Sequence, residues 1–168
     1  MSDEAPSPPR TLSQADVRGS FDCGAKELDE WLQKYALQNQ RTHSAVTYVA
    51  CVGTVVVGYY SIAAGSVAKR HAAPALAKGA PTEIPCILFA RLAVDKEYQG
   101  SGLGAGLLLD ALRRAVLLSD SVGAMAVLIH ARDNAAKAFY ERLVDFQPSP
   151  LDDLQLMVPT KDLRRLLA

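Results

Sequence analysis

The stretch with the clearest chemical potential is Gln99-Gly100-Ser101-Gly102-Leu103-Gly104, which follows an apolar run at 87–94 and enters an apolar-periodic segment at 103–118. Strand, glycine turn and helix in that order present bare backbone N–H groups to an anion, and the positive end of the helix adds to the attraction. Glycines also let the chain come close to a phosphate. The Lys-Ser/Thr pair of a P-loop is absent, and G-x-G-x-x-G counted from Gly100 fails at Ala105. Taken alone, the turn reads as a pyrophosphate-binding loop, with a flexible strand–helix connection as the lesser alternative.

Arg91 is the second residue of chemical interest, because it interrupts an otherwise apolar strand. A charge there has to be paired or functional. Strand alternation places it with Phe89 and Ala93 on one face, and it is expected to face an acceptor groove or to anchor a carboxylate. Basic residues also gather at Lys69-Arg70-His71 with Lys78, and at Arg41-Thr42-His43. Each is either a phosphate contact or a solvated surface charge.

The elements that must position these groups follow from periodicity. Residues 1–9 read as a short disordered leader, and 10–168 as one domain. A short edge strand lies within 10–21. Asp22 is expected to cap a helix reaching about Gln40, with Leu28, Trp31, Leu32, Tyr35 and Ala36 on its core face. Val- and Tyr-rich runs at 47–52 and 55–62 flank Gly53-Thr54, the signature of a type II′ hairpin. Residues 65–85 hold three prolines and several alanines, and read as a long exposed loop with one helical turn. After the glycine turn, a helix buries Leu107, Leu108, Ala111, Leu112 and Ala115 and turns Asp110, Arg113 and Arg114 outward. A strand at 126–130, a helix at 134–143, a strand at 154–158 and a terminal helix capped by Thr160, with Leu163, Leu166 and Leu167 inward, complete the chain. The result is a mixed α+β fold: a central mixed sheet flanked by helices.

The bulk composition narrows the function classes. The 168 residues are 49% apolar and 21% charged, with zero net charge. No global field therefore draws the protein to nucleic acid or membrane, and any polyanion must meet a local basic patch. Three scattered cysteines, Cys23, Cys51 and Cys86, suit reduced thiols in a cytoplasm better than a disulfide framework or a zinc site. No apolar run approaches a membrane span and no signal peptide is evident, so a cytoplasmic protein without membrane attachment is expected.

Leu92-Ala93-Val94, the turn Gln99–Gly104 and Asn134-x-x-x-Ala138-Phe139-Tyr140-Glu141 together resemble the GNAT superfamily of acyl-CoA N-acyltransferases. Further blocks narrow the resemblance: Phe21-Asp22-Cys23-Gly24, Leu28-Asp29-x-Trp31-Leu32, Asn39-Gln40, Val57-Gly58-Tyr59-Tyr60, Arg91–Asp95, Ala136–Tyr140 and Pro148–Leu151. They are similar to the GNAT toxins of type II toxin–antitoxin systems, over nearly the whole chain. Where the superfamily commonly has Gly-Phe after the last of these helices, this chain has Val144-Asp145-Phe146.

The resemblance implies a GNAT fold with a mostly antiparallel sheet and transfer of acetyl from acetyl-CoA, without metal, to the α-amine of aminoacyl-tRNA. It further implies blocked translation and neutralisation by a ribbon-helix-helix antitoxin, through which operator DNA is repressed. The cofactor contacts carried over are Leu92, Ala93, Val94, Gln99, Gly100, Ser101, Gly102, Leu103, Gly104, Ala105 and Asn134, the last of which could instead only cap its helix. Tyr140 would protonate the leaving thiolate, directly or through water. Arg41, Lys69, Arg70, Lys78 and Arg91 are the candidate tRNA contacts, and a homodimer would extend their groove.

No Glu, Asp or His stands where a general base is needed: Asp95 and Glu97 read as solvated, and His130 as structural. The unperturbed α-amine pKa of ~8 leaves a usable neutral fraction at pH 7, whereas a lysine at ~10.4 would need far more help. Two other readings are a GNAT enzyme that acetylates a small-molecule amine or a protein N-terminus, and a non-catalytic module that binds acetyl-CoA or an antitoxin.

Overall fold

The Val- and Tyr-rich pair expected around Gly53 forms the centre of the N-terminal half. In the computed structural model, which describes residues 4–168, the strands are β1 (Arg10–Thr11), β2 (Val46–Val52), β3 (Val55–Ala68), β4 (Glu83–Val94), β5 (Ala126–His130), β6 (Gln147–Ser149) and β7 (Asp152–Pro159). The helices are α1 (Lys26–Glu30), α2 (Ala36–Arg41), α3 (Pro74–Ala77), α4 (Leu103–Ser119), α5 (Asn134–Leu143) and α6 (Thr160–Leu166). Within the span read as one domain, the chain forms two compact units. One comprises the chain up to Ala63 with Arg91–Ala111; the other comprises Ala64–Ala90 with Leu112–Ala168. Strands β3 and β4 run through both.

In the first unit the strand order is β1-β2-β3-β4. β1 and β2 pair antiparallel at Arg10↔Val49, and β2 and β3 at Val49↔Tyr59. Gly53 supplies the positive φ, +62°, that the hairpin turn demands. The helical segment covers one face and closes a core of Phe21, Leu32, Ala36, Val49, Tyr59 and Ala93 with their neighbours. Three of the nine leader residues lie outside the described chain. Within the rest, the Ser7 amide donates to the Cys51 carbonyl at 2.8 Å, and Ser7 Oγ accepts from the Cys51 amide at 3.0 Å, so this segment is tied to β2.

The first helix departs from its expected form. Asp22 does not cap it: its carboxylate accepts from the Gly24 amide, and Ala25 holds the cap position without a side-chain bond. A π-helical turn, Trp31–Tyr35, separates α1 from α2, with the Ala36 amide reaching back to the Trp31 carbonyl. The widened turn changes the helical phase. Leu32 and Ala36 stay fully buried while Tyr35, expected in the core, is 50% exposed.

Thr47 and Ser61 face each other across the β2–β3 register, fully buried, and neither hydroxyl has a partner. A buried hydroxyl without a hydrogen bond costs stability. Thr47→Val, which keeps the shape, is therefore expected to raise stability by up to ~1 kcal/mol. An increased urea midpoint at unchanged m-value would show it.

In the second unit the order is β3-β4-β5-β7-β6. β4 and β5 pair in parallel at Ile87↔Val127, and β5 and β7 antiparallel at Leu128↔Met157. The mixed, mostly antiparallel sheet expected from the sequence is thus present. The loop expected at 65–85 is much shorter than its composition suggested. β3 continues to Ala68, α3 carries Pro74 in its first turn, and β4 begins at Glu83. Val67, Ile84 and Cys86 enter a core with Leu76, Leu128 and Met157, and that burial overrides weak local propensity. Strand β6 was not foreseen because Pro148 argues against a strand; an edge strand tolerates it. Thr160 does not cap α6 but donates its hydroxyl to the Ala124 carbonyl, and Leu166 is 60% exposed instead of inward. No described helix is long and apolar enough to cross a membrane.

Candidate functional site

The glycine turn belongs to the first unit, and its conformation requires its glycines. Asp95 caps the short 3-10 turn Lys96–Tyr98 by accepting from the Glu97 amide. The chain then passes through Gly100 and Gly102, at φ +79° and +87°, before α4 begins at Leu103. A side chain at either position would be strained. A Cβ built on either glycine meets nothing within 4 Å, so the turn opens onto free space at the positive end of a 17-residue helix. That arrangement can hold an anion on main-chain donors.

Gln99 acts on the protein side of the turn. Its side-chain amide donates to the Val94 carbonyl at 2.8 Å and to the Cys23 carbonyl at 2.9 Å. The Phe21–Gly24 segment is bound to the same region at further points: the Asp22 amide donates to Asp95, and the Lys96 amide donates to the Asp22 carbonyl. Gln99 thus ties the end of β4, the glycine turn and the 21–24 segment into one frame, a role its motif position alone did not reveal. Ser101 turns its hydroxyl back onto the Tyr98 carbonyl. Gly58 completes the seat of the helix: a Cβ there would approach Leu107 to 3.0 Å and Leu103 to 3.1 Å. A side chain at Gly58 would press on the ends of these two leucines, so glycine lets the start of α4 lie close to β3 without displacing them.

Along β4 in the same unit, Ala93 is buried while Leu92 and Val94 are half-buried. Arg91 is half-buried and does not anchor a carboxylate. Its guanidinium lies 4.0 Å from the centre of the Trp31 ring. Trp31, expected only as a core anchor, is therefore the partner the sequence did not disclose. Asp110, expected to face outward on α4, is half-buried and accepts from the Tyr60 hydroxyl at 2.5 Å. Arg41 is exposed and donates to the Gln14 side chain at 3.2 Å.

The second unit holds the remaining candidates. Tyr140 on α5 is 8% exposed and lies edge-on to Phe89, Phe139 and Phe146. Burial pushes its phenol up to about 12, so it remains protonated through the neutral range and is available as a donor. Phe146 keeps its ring against Tyr140 although Val144 and Asp145 precede it in place of glycine. Asp133 caps α5 by accepting from the Ala136 amide at 2.8 Å, which leaves Asn134 exposed as the first helical residue and free of the capping task. Lys69, Arg70 and Lys78 are exposed, and His130 is exposed at the end of β5.

The thiols offer no alternative nucleophile. Cys23, Cys51 and Cys86 are free, and burial pushes the Cys23 and Cys86 thiols up to about 11 and away from the reactive thiolate form. Among the described residues no group of three or more His, Cys, Asp or Glu side chains is placed to hold a metal ion.

The chain has close counterparts among known proteins. A model of the GNAT acetyltransferase domain matches residues 43–143. Over 161 residues, 96% of each chain, it is 44% identical to a tRNA-acetylating toxin of Mycobacterium tuberculosis (strain ATCC 25618 / H37Rv). Its structure superposes on AtaT complexed with acetyl-methionyl-tRNAfMet with a TM-score of 0.87 at 26% identity, covering 95% of this chain and 98% of the other. A tyrosine-to-phenylalanine variant of AtaT bound to acetyl-CoA and the C-terminus of the antitoxin AtaR gives a TM-score of 0.81 at 26% identity, covering 97% and 98%.

Proposed function

We propose that this chain, which belongs to the GNAT acetyltransferase family and within it to the tRNA-acetylating toxins, transfers acetyl from acetyl-CoA to the α-amine of aminoacyl-tRNA. The enzyme is an acetyl-CoA-dependent N-acetyltransferase of the toxin–antitoxin type. The observation that carries the acceptor assignment is 44% identity to a tRNA-acetylating toxin across 96% of both chains.

Acetyl-CoA supplies the activated thioester. The backbone N–H groups from Gly100 to Ala105 bind its pyrophosphate, with Ser101, Leu103 and Gly104 contributing main chain. The open space over Gly100 and Gly102 fits this role. The main chain of Leu92, Ala93 and Val94 pairs with the pantetheine arm, and a backbone N–H there steadies the thioester oxygen as negative charge develops. Exposed Asn134 contacts the same cosubstrate. Tyr140 holds a proton for the departing sulfur. A thiol pKa of ~8.5 makes the leaving group a weak base, so the phenol assists by hydrogen bonding as charge accumulates.

Gln99 has a measurable share in this arrangement. Gln99→Ala removes both bonds of the brace and is expected to raise KM for acetyl-CoA by about three- to tenfold, with kcat within about twofold. Initial rates over a range of acetyl-CoA at fixed acceptor would show the split.

Arg41 in the first unit and Lys69, Arg70 and Lys78 in the second each serve as phosphate contacts for the tRNA, and a second copy of the chain adds its own. A ribbon-helix-helix antitoxin neutralises the enzyme and carries the pair to operator DNA. The reaction takes place in the cytoplasm, where charged tRNA is found. A translation extract tests the reading: added protein should stop incorporation only when acetyl-CoA is present. Inhibition that ignores acetyl-CoA would overturn it.

A further inference from the structure

Strand β3 holds α4 in two different ways in the first unit, and the second of them has no role above. At Gly58 the absence of a side chain lets Leu103 and Leu107 lie against the strand. Two residues along the same strand face, Tyr60 is fully buried and its hydroxyl donates to the Asp110 carboxylate at 2.5 Å. Asp110 follows Leu103 and Leu107 on one face of the helix, two turns from its start. Tyr48 pairs with Tyr60 across β2 and β3 and stacks on its ring, with centres 5.1 Å apart and planes 21° apart.

The two contacts differ in kind. Leucines over a bare strand attract without direction, and a helix could turn or slide on them at little cost. A hydroxyl–carboxylate bond is directional and charge-assisted, so it holds one register. A slip of one residue would move the helix by about 1.5 Å and turn it by about 100°. The donor has no slack, because the Tyr60 ring is fully buried and stacked on Tyr48. Half-burying a carboxylate has a desolvation cost, and a leucine at this position would serve if packing were the only need. Asp110 stands about 10 Å along the axis from Leu103, where the main-chain N–H groups that face the open space over Gly100 and Gly102 begin. Those groups move with the helix as one body.

We propose that the Tyr60–Asp110 hydrogen bond sets the register of α4 on β3 and so aims the N–H groups at the helix start at the pyrophosphate of acetyl-CoA. This inference rests on the glycine turn being the acetyl-CoA site. Tyr60 and Asp110 are positioning residues and touch no reacting atom. Fixing the donors beforehand spares the cosubstrate the cost of ordering them, so the bond acts on affinity rather than on the chemical step.

The test compares the full-length protein with three variants. Tyr60→Phe keeps the ring and its stack on Tyr48, Asp110→Leu keeps only packing, and Asp110→Asn keeps an oxygen that can accept from the phenol. Calorimetric titration with acetyl-CoA should show Kd raised about tenfold in Tyr60→Phe and Asp110→Leu, and within about threefold of the unaltered protein in Asp110→Asn. In all three, kcat at saturating acetyl-CoA should stay within about twofold. Without ligand, hydrogen exchange of the Gly106 amide, which donates to the Gly102 carbonyl, should quicken about tenfold in the first two variants while the amides of β5 keep their rates. An unchanged Kd in Tyr60→Phe, unchanged exchange at Gly106, or Asp110→Asn behaving like Asp110→Leu would each overturn the inference. Gly102→Val separates this failure from failure of the reading beneath it. If Gly102→Val binds acetyl-CoA as tightly as the unaltered protein, the turn is not the site and both fall; if it loses acetyl-CoA while Tyr60→Phe does not, the inference alone falls.

Discussion

Tyr140→Phe is expected to lower kcat by about a hundredfold to ten-thousandfold while leaving the fold and acetyl-CoA binding intact. The argument is one of subtraction. Phenylalanine keeps the three edge-on contacts to Phe89, Phe139 and Phe146 that hold the ring. The hydroxyl has no hydrogen-bond partner among the described residues, so its removal strands no protein group. What is lost is the hydroxyl alone, the group proposed to hold the proton for the leaving thiolate. Steady-state kinetics should show kcat collapsing with KM for acetyl-CoA within about twofold, the pattern of an interaction made in the transition state.

The same variant has a pH signature of opposite sign. The Tyr140 phenol titrates at about 12 when folded, up from 10. A group whose folded pKa is raised contributes stability that is complete below its unfolded pKa and is lost as pH rises through the folded value. The native protein should therefore lose this contribution between pH 10 and about 12. Tyr140→Phe should lack that component of the loss. Urea midpoints measured from pH 9 upward should converge or cross in favour of the variant.

The second large effect is expected at Gly102. Valine there faces a φ of +87°, which for a β-branched residue costs on the order of 1–3 kcal/mol of local strain. The same branched side chain would occupy the space now open in front of the helix start. Stability and binding should thus respond unequally. The melting temperature should drop by several degrees, as a loss of ~1–2 kcal/mol implies for a chain of this size. KM for acetyl-CoA should rise by more than about fiftyfold, because phosphate donors that would each contribute ~1.5–3 kcal/mol can no longer be approached together. Calorimetric titration with acetyl-CoA, paired with thermal unfolding, measures both. Equal loss in the two would mean that the turn serves only to connect β4 and α4.

Much of this site was legible in the chain because its determinants are local. Gly100 and Gly102 announce left-handed backbone, and α5 begins and ends where its periodicity does, at Asn134 and Leu143. The family resemblance extended those local signals over the whole chain. What could not be read depends on groups that meet through space. The π-helical turn at Trp31–Tyr35 reverses the exposure of Tyr35, yet nothing in WLQKY distinguishes it from an α-helical run. Asp110 looks like a surface charge until Tyr60 is placed beside it. Arg91 is expected from the sequence to face an acceptor groove or to anchor a carboxylate; the structure shows no carboxylate on it among the described residues and sets it against the Trp31 indole. The alanine- and proline-rich stretch before β4 was underestimated as structure, since β3 is held to Ala68 by partners rather than by propensity.

The most direct measurement is mass analysis of the aminoacyl ends of total charged tRNA after incubation with the enzyme and acetyl-CoA. The expected product is an aminoacyl-adenosine heavier by one acetyl group on its α-amine, formed by the unaltered protein and absent with Tyr140→Phe. Charged tRNA that keeps a free α-amine, under conditions where acetyl-CoA is bound, would contradict the assignment of the acceptor.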